Sequence, residues 1–491
     1  MIPSDHICHL ASSIVDSMDF SMFDKKYAGA GHPAYHPRII LKLLLMGILD
    51  KVRSSRKIAK NARENVVYMF LAEKVSPDFR TISDFRKNNL DMIKEMFRHT
   101  VHLAKAHGLL DLSVLSTDGT KIKANASNNK ILTTDELRLL KDFVDNELEE
   151  WARQDNIEDE QYGNFRGSDQ LPGKDKKKIE KIVKEYVEKM RKNGHACFKK
   201  EVKEKLEKMQ EQADSFNLQK VSMVDPESRF MKNKKKRIEL SYNPQITVDK
   251  KGFVISNDVS QDCADTSQLE AQILETRKNI GELPKTTKWN FDNGYFSTAN
   301  LEFAKRENID AHIQMQKISA SEYSTDKFKY VPDKNVYLCP EGKTLKFLSK
   351  RYDKTRDNDC LIYKSYDCAG CPNQNLCTKN KSGLRFIKIT ENPELRDEMR
   401  AKMNSDIGKN TYKLRKQTVE PAFGDIKSNK GLTEFLVRGL CNVKAEMNLA
   451  CSAANVRKMW IEKQVSGGLR GVNSIQRTIL QIFSAELQVQ N

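Results

Sequence analysis

Long apolar runs are missing from this sequence. The longest, Ile39–Leu49, is interrupted by Lys42 and is far shorter than the ~20 apolar residues a bilayer-crossing helix requires. No membrane span is expected. The N-terminus, Met1-Ile2-Pro3-Ser4-Asp5-His6, has no basic segment leading into an apolar one, so no secretory signal is expected and the reading is cytoplasmic. In that compartment the ten cysteines stay reduced, which favours metal ligation or burial over disulfides. Acidic residues are in deficit: 67 Asp and Glu face 84 Lys and Arg, a net charge of +17, so polyanions are the first partners to expect and nucleic acid leads them. What is present is globular in character, with 31% charged and 38% hydrophobic residues, which excludes wholesale disorder. Its 491 residues suffice for about three domains at roughly 150 residues each.

Periodicity divides the chain. Ile39, Leu43, Met46 and Leu49 recur at helical spacing behind Pro37, and Asp78 to Ser83 reads as a turn and cap before an amphipathic helix through Phe97. The region 1–105 is therefore expected to be a helical N-terminal domain, either a DNA-contacting one or a plain bundle. Leu112 to Thr120 is a β-prone run ending in Asp118 and Gly119, opening the first part of an α/β core at 106–131. From 132 to 214 a helical insertion is expected, with Leu140, Val144, Leu148 and Trp151 on one stripe and Ile179, Ile182, Val183, Tyr186 and Met190 on another.

The core resumes over 215–330. Ile238–Tyr242 and Gln245–Val248 read as strands, the second in a hairpin with Phe253–Ser256. A helix over 266–280, a strand ending at Asp292, a helix over 297–307 and a strand over 311–315 follow. The segment 331–394 is aromatic, basic, cysteine-rich and poor in strand signals, and reads as a second insertion. Residues 395–463 are expected to be helical, with Val443, Met447, Leu449 and Ala453 as an apolar series, and 464–491 to form a polar tail.

Asp118 and Asp292 each lie just past a predicted strand and before a glycine, where an α/β sheet exposes side chains at its carboxyl edge. Each alone is an ordinary turn pair. The third acidic residue, Glu420, is surrounded by Lys413, Arg415, Lys416, Lys427 and Lys430, a setting suited to a carboxylate working beside phosphate.

These residues and their neighbours resemble the DDE transposases of bacterial insertion sequences, in the insertion-sequence-four superfamily. The matching stretches are Thr117-Asp118-Gly119-Thr120 with Lys121 to Ser127, Asp225-Pro226-Glu227-Ser228-Arg229, Tyr242-Asn243-Pro244-Gln245, Phe291-Asp292-Asn293-Gly294-Tyr295 and Val419-Glu420-Pro421-Ala422-Phe423-Gly424. Arg438-Gly439-Leu440, continuing to Glu446 and Asn455, also matches, as does His36-Pro37-Arg38 to Ser83-Asp84-Phe85-Arg86 for the helical domain that precedes the core in this group.

The resemblance implies an RNase H-like core in which Asp118, Asp292 and Glu420 hold two Mg²⁺ or Mn²⁺ ions. It further implies binding of inverted-repeat ends, hydrolysis of phosphodiester bonds there and transfer of the 3′-hydroxyls into target double-stranded DNA by a homodimer, in a bacterial, nucleoid-associated setting. Between the acids lie 173 and 127 residues, so both gaps must carry the insertions. The family's helical signature of Tyr, Arg, Glu and Lys corresponds to Tyr412, Arg415, Glu420 and Lys427, with one extra residue between Arg and Glu, so Lys416 is a rival for the role of Arg415. Pro421 either starts a helix or kinks one.

Two further features are read from the residues. Cys368-Ala369-Gly370-Cys371, with Cys377 and Cys339, supplies four thiols suited to a structural Zn²⁺; Cys360 is a rival fourth ligand, while Cys8, Cys197, Cys263, Cys441 and Cys451 are assigned to packing. Lys232, Lys234, Lys235, Lys236 and Arg237 form a basic run that is either a solvated turn or a phosphate-backbone contact. The rivals to a transposase are a catalytically inactive, transposase-derived DNA-binding protein and a plain RNase H-like nuclease.

Overall fold

The computed structural model describes residues 1–21, 35–154, 181, 195–233, 236–315, 322–353, 358–390 and 393–465. The chain opens with helices α1 (Ile7–Asp16), α2 (Pro37–Leu49), α3 (Ser55–Glu64), α4 (Val66–Leu71), α5 (Phe79–Asn88) and α6 (Leu90–Ala106). Pro37 occupies the first turn of α2, where its missing N–H costs nothing, and the His36 ring accepts from Arg38 N. Asp78 caps α5 by accepting from Arg80 N at 2.8 Å. The single helix expected through Phe97 is two helices. At Asn89 the backbone leaves helical geometry and the side-chain amide donates to Phe85 O at 2.9 Å, which ends α5.

The central sheet runs β7 (Val254–Ser260), β6 (Ile238–Asp249), β1 (Val114–Gly119), β8 (Lys288–Phe291), β9 (Asp310–Ile313), with antiparallel pairings up to β1 and parallel ones after it. The two strands expected within 238–248 are one, running through Pro244. Its first half pairs with β2 (Ile122–Lys123) and β5 (Arg229–Lys232), its second with β1 and β7. Pro244 stands at this changeover, opposite Val259 of β7, and its carbonyl accepts from Thr120 N at 2.9 Å. Helices α9 (Leu269–Ile280) and α10 (Thr298–Arg306) connect β7 to β8 and β8 to β9.

Between β2 and β5, an antiparallel ribbon of β3 (Ile131–Thr133) and β4 (Lys220–Ser222) carries α7 (Thr134–Gln154) and α8 (His195–Ser215). Leu132, Leu137, Leu140, Val202, Leu206 and Met209 form its own small core. The second stripe, Ile179 to Met190, and the tail beyond 465 lie outside the described residues.

The cysteine-rich segment is not poor in strands. It forms a five-stranded antiparallel sheet in sequence order: β10 (Lys329–Val331), β11 (Val336–Leu338), β12 (Thr344–Asp353), β13 (Asn358–Ser365) and β14 (Phe386–Thr390). Lysines such as Lys346 and Lys364 alternate with inward residues such as Leu345 and Tyr363, so strands with one wet face read as merely basic sequence. A short helix, α11 (Gln374–Cys377), lies between β13 and β14.

The chain then enters α12 (Pro393–Asn404), α13 (Asp406–Gly424), a π-turn over Asp425–Asn429 and the long α14 (Leu440–Val465). Helix α14 packs against α2, α6 and β7, burying Val443, Met447, Leu449 and Ala453, so one continuous core runs from the N-terminal helices through the sheet. Asn455 accepts from Val254 N and donates to Val254 O, satisfying backbone groups on the outer edge of β7. Asp225 and Glu227 accept from Gly439 N and Leu440 N, and so cap the start of α14. The matched stretch Asp225 to Arg229 thus has a structural use. Cys8 and Cys451 are buried as expected, but Cys263 and Cys441 are exposed and do not serve as packing residues; the Cys197 side chain lies outside the described set.

Candidate active site

Strands β1 and β8 are adjacent and parallel, with Ser116 opposite Asn290 and Thr117 opposite Phe291. The next step in that register sets Asp118 beside Asp292 at the carboxyl ends of both strands, and neighbours in register share a face. Each carboxylate is fixed by its own turn. Asp118 Oδ1 accepts from Gly119 N at 2.9 Å and Asp292 Oδ1 from Gly294 N at 2.6 Å. Below them Trp289 Nε1 donates to Thr117 Oγ1, which also meets Thr247 Oγ1, so the floor is packed and hydrogen-bonded.

Helix α13 lies against β1, β6, β8 and β9, tethered where Asn290 Nδ2 donates to Thr411 O at 3.1 Å. From it Arg415 reaches all three acids. Its guanidinium stands 2.8 Å from Asp118 Oδ2, 3.5 Å from Asp292 Oδ2 and 3.9 Å from Glu420 Oε1. Arg415 is buried whereas Lys416 is exposed, so the arginine and not Lys416 occupies the place beside the acids. Tyr412, one turn earlier, sits with its ring 6.0 Å from that guanidinium.

Burial pushes the Asp118 carboxyl up to about 6; Arg415 opposes the rise, and Asp292 and Asp265 add to it. Burial also disfavours the charge on Arg415, but Asp118, Tyr412 and Asp292 outweigh it and hold the guanidinium above its ordinary value.

Pro421 neither starts nor ends α13: it lies inside the helix, which changes to π geometry at Asp425. Within that π-turn Lys427 Nζ donates to Thr120 Oγ1 at 2.5 Å and approaches Lys121 O at 3.5 Å, tying the helix to the turn that follows Asp118. Of the basic run, Lys232 ends β5, and Lys236 and Arg237 lie just before β6. Lys236 and Arg237 are exposed there, held by Asn233, while Lys234 and Lys235 lie outside the described residues.

The sequence reading missed Asp265, Asn243 and Gln245. Asp265 Oδ1 accepts from both amides, at 2.7 and 2.8 Å, and lies 3.3 Å from Lys121 Nζ. Gln245 in turn accepts from the buried Tyr295 hydroxyl. Asn243 and Gln245 fall in a matched motif, but Asp265 carried no signal, because its loop comes to the site only through the fold.

All four expected zinc ligands, Cys339, Cys368, Cys371 and Cys377, line one cavity of about 20 Å³. The rival Cys360 does not line it; it is buried in β13 opposite Thr390. Among the described residues no three Cys, His, Asp or Glu groups stand at spacing for holding a metal ion. In the acidic site a guanidinium stands among the carboxylates, so the position already favours a cation. Among the described residues no helix is long and apolar enough to cross a membrane.

The comparisons with known proteins agree at both ends of the chain. A Transposase DDE domain family matches residues 338–460, which include Arg415, Glu420 and the four cysteines but neither Asp118 nor Asp292. A Transposase domain family (DUF772) matches residues 1–88, the helices α1 to α5. No curated protein matches the chain. Matches to transposase families thus lie on either side of a mixed α/β body, and over those two segments the chain is similar to the DDE transposases of insertion sequences.

Proposed function

We propose that Asp118, Asp292 and Glu420 are the catalytic acids of a transposase that hydrolyses phosphodiester bonds at the inverted-repeat ends of its element and joins the 3′-hydroxyls to target DNA. The observation that carries this reading is the meeting of three acids, more than a hundred residues apart in sequence, on the one guanidinium of Arg415. Three carboxylates gathered around a cation match the oxygen ligands that Mg²⁺ or Mn²⁺ prefers. Two such ions would supply activation of the attacking oxygen and neutralisation of the leaving one. The strand order β7-β6-β1-β8-β9, with its switch from antiparallel to parallel at β1, supports an RNase H-like core.

The protein's own groups do the rest. Gly119 N and Gly294 N hold two of the carboxylates in place before substrate arrives. Arg415, whose Nε is buried without an acceptor among the described residues, can donate to a phosphate oxygen once cations neutralise the acids. In this reading Tyr412, Lys427, Lys234, Lys235, Lys236 and Arg237 contact the DNA backbone. A homodimer follows from the need to process two ends together, and a cytoplasmic, nucleoid-associated location from the DNA substrate. Purified protein should nick end-bearing DNA and form strand-transfer products with Mg²⁺ or Mn²⁺. Binding without nicking would favour the inactive DNA-binding alternative, and nicking without strand transfer the plain nuclease.

A structural zinc belongs to the same reading. Its support is the four thiols around one cavity, on a sheet whose core is only six residues, where metal binding would contribute directly to folding. One zinc per chain is expected by elemental analysis. Cys371→Ser should release it and make 331–394 protease-sensitive; native protein without zinc would remove the proposal.

A further inference from the structure

Asp265 precedes a one-turn 3₁₀ segment, Thr266–Gln268, at the position where an aspartate ordinarily caps, yet its carboxylate makes no capping bond. The side chain turns to the sheet edge instead. Oδ1 gathers all three donors: the amides of Asn243 and Gln245, which share a face of β6 as alternate residues, and the Lys121 ammonium. Oδ2 receives no hydrogen bond among the described residues. The glycines close after Asp118 and Asp292 leave room for this cluster: the Gln245 amide with Asp265 Oδ1 beside Gly119, and the Asp265 and Asp292 carboxylates beside Gly294. A Cβ on Gly119 would lie 2.7 Å from Asp265 Oδ1, and a Cβ on Gly294 would lie 3.1 Å from Asp265 Oδ2 and 2.9 Å from Asp292 Oδ1. Neither glycine has a positive φ, so close approach explains them and backbone freedom does not.

We infer that Asp265 is a fourth acidic member of the site: Oδ1 locks the floor through β6 and Lys121, while Oδ2 presents negative charge to the divalent cation beside Asp292. The inference rests on the cation-dependent reading above. Asp265 acts there as a positioning residue that raises the affinity of the site for its cation without being one of the three principal acids. Asp265→Asn isolates the effect, because the amide oxygen can keep the three donors while a neutral NH₂ replaces Oδ2.

Mn²⁺ binding to the full chain, read by electron paramagnetic resonance without DNA, should weaken about tenfold in Asp265→Asn, as for other groups that support metal ligands. Thermal unfolding without Mn²⁺ should stay close to wild type. The Mg²⁺ concentration for half-maximal cleavage should rise by the same factor, with cleavage restored at saturating Mg²⁺. If Asp265→Asn fails to fold, Gly294→Ala, which sets a methyl between the two carboxylates, should weaken Mn²⁺ binding in its place. Wild-type Mn²⁺ affinity in Asp265→Asn, or in folded Gly294→Ala, overturns the inference alone. Wild-type protein that binds no Mn²⁺ overturns the cation-dependent reading beneath it, so the two failures are distinct.

Discussion

Burial makes the ionised form of Asp118 costly to the folded protein. Its carboxyl titrates at about 6 when folded against an ordinary value of 3.8, so the folded state holds the proton more tightly than the unfolded chain does. That stabilisation is complete below about pH 4 and is lost as pH rises through about 6; at neutral pH the ionised carboxylate costs on the order of 1–3 kcal/mol in metal-free protein. Asp118→Asn should therefore stabilise the metal-free protein at pH 8 while making little difference at pH 4, as urea denaturation at the two pH values will read. The same variant, like Asp292→Asn and Glu420→Gln, should abolish cleavage while end-DNA binding persists, because an amide is a far poorer Mg²⁺ ligand than a carboxylate. Near-normal cleavage by any of the three removes that residue from the site.

Helix α13 carries the residues whose roles the sequence left open. Arg415 and Glu420 are five positions apart, beyond the three or four that stack side chains on a helix, and their closest approach is accordingly the loosest in the cluster at 3.9 Å. The π-turn after Gly424 takes up an extra residue per turn and delivers Lys427 to Thr120. Lys427→Ala should slow single-turnover cleavage by bound complex, since the turn beside Asp118 loses its tie. If the ammonium also meets a phosphate, the log-affinity versus log-salt slope becomes shallower by about one unit. An unchanged slope with slowed cleavage assigns Lys427 to anchoring, and no change in either assigns it no role. At this scale β1 and β8 were legible because a β-prone run ending in an aspartate close before a glycine is a local signal. The cysteine-rich sheet was not, because its lysines mark only the solvent face of each strand.

The whole molecule is closed by its C-terminal helix returning to its N-terminal ones. Arg53, at the start of the chain, meets Glu446 Oε1 at 2.6 Å and also donates to Gly431 O and Glu434 O; Glu446 is 1% exposed and accepts from Leu436 N as well. Truncating one partner of a buried pair leaves the other charge uncompensated, so Glu446→Ala should cost about 3–5 kcal/mol. Denaturant unfolding will measure it, and a loss under 1 kcal/mol (roughly that of an exposed pair) would contradict the arrangement. Because the pair links residues 53 and 446, the two regions matched to transposase families are held to one core.

Much about this protein was determined by its sequence alone. The polyanion-seeking charge, the absence of a long apolar run, the helical opening and the two strand-end aspartates rest on composition or short-range pattern, which an unfolded chain already carries. Glu420 was also singled out by its basic surroundings and its motif. Tertiary structure decided what depends on distant pieces meeting: that Arg415 and not Lys416 joins the acids, that Cys360 stays away from the other thiols, that Asp225 and Glu227 cap a helix over two hundred residues on, and that Asp265 enters the site. The physical reason is common to all four. A side chain's partners are set by strand register and helix packing across the core, and neighbours in sequence say little about them.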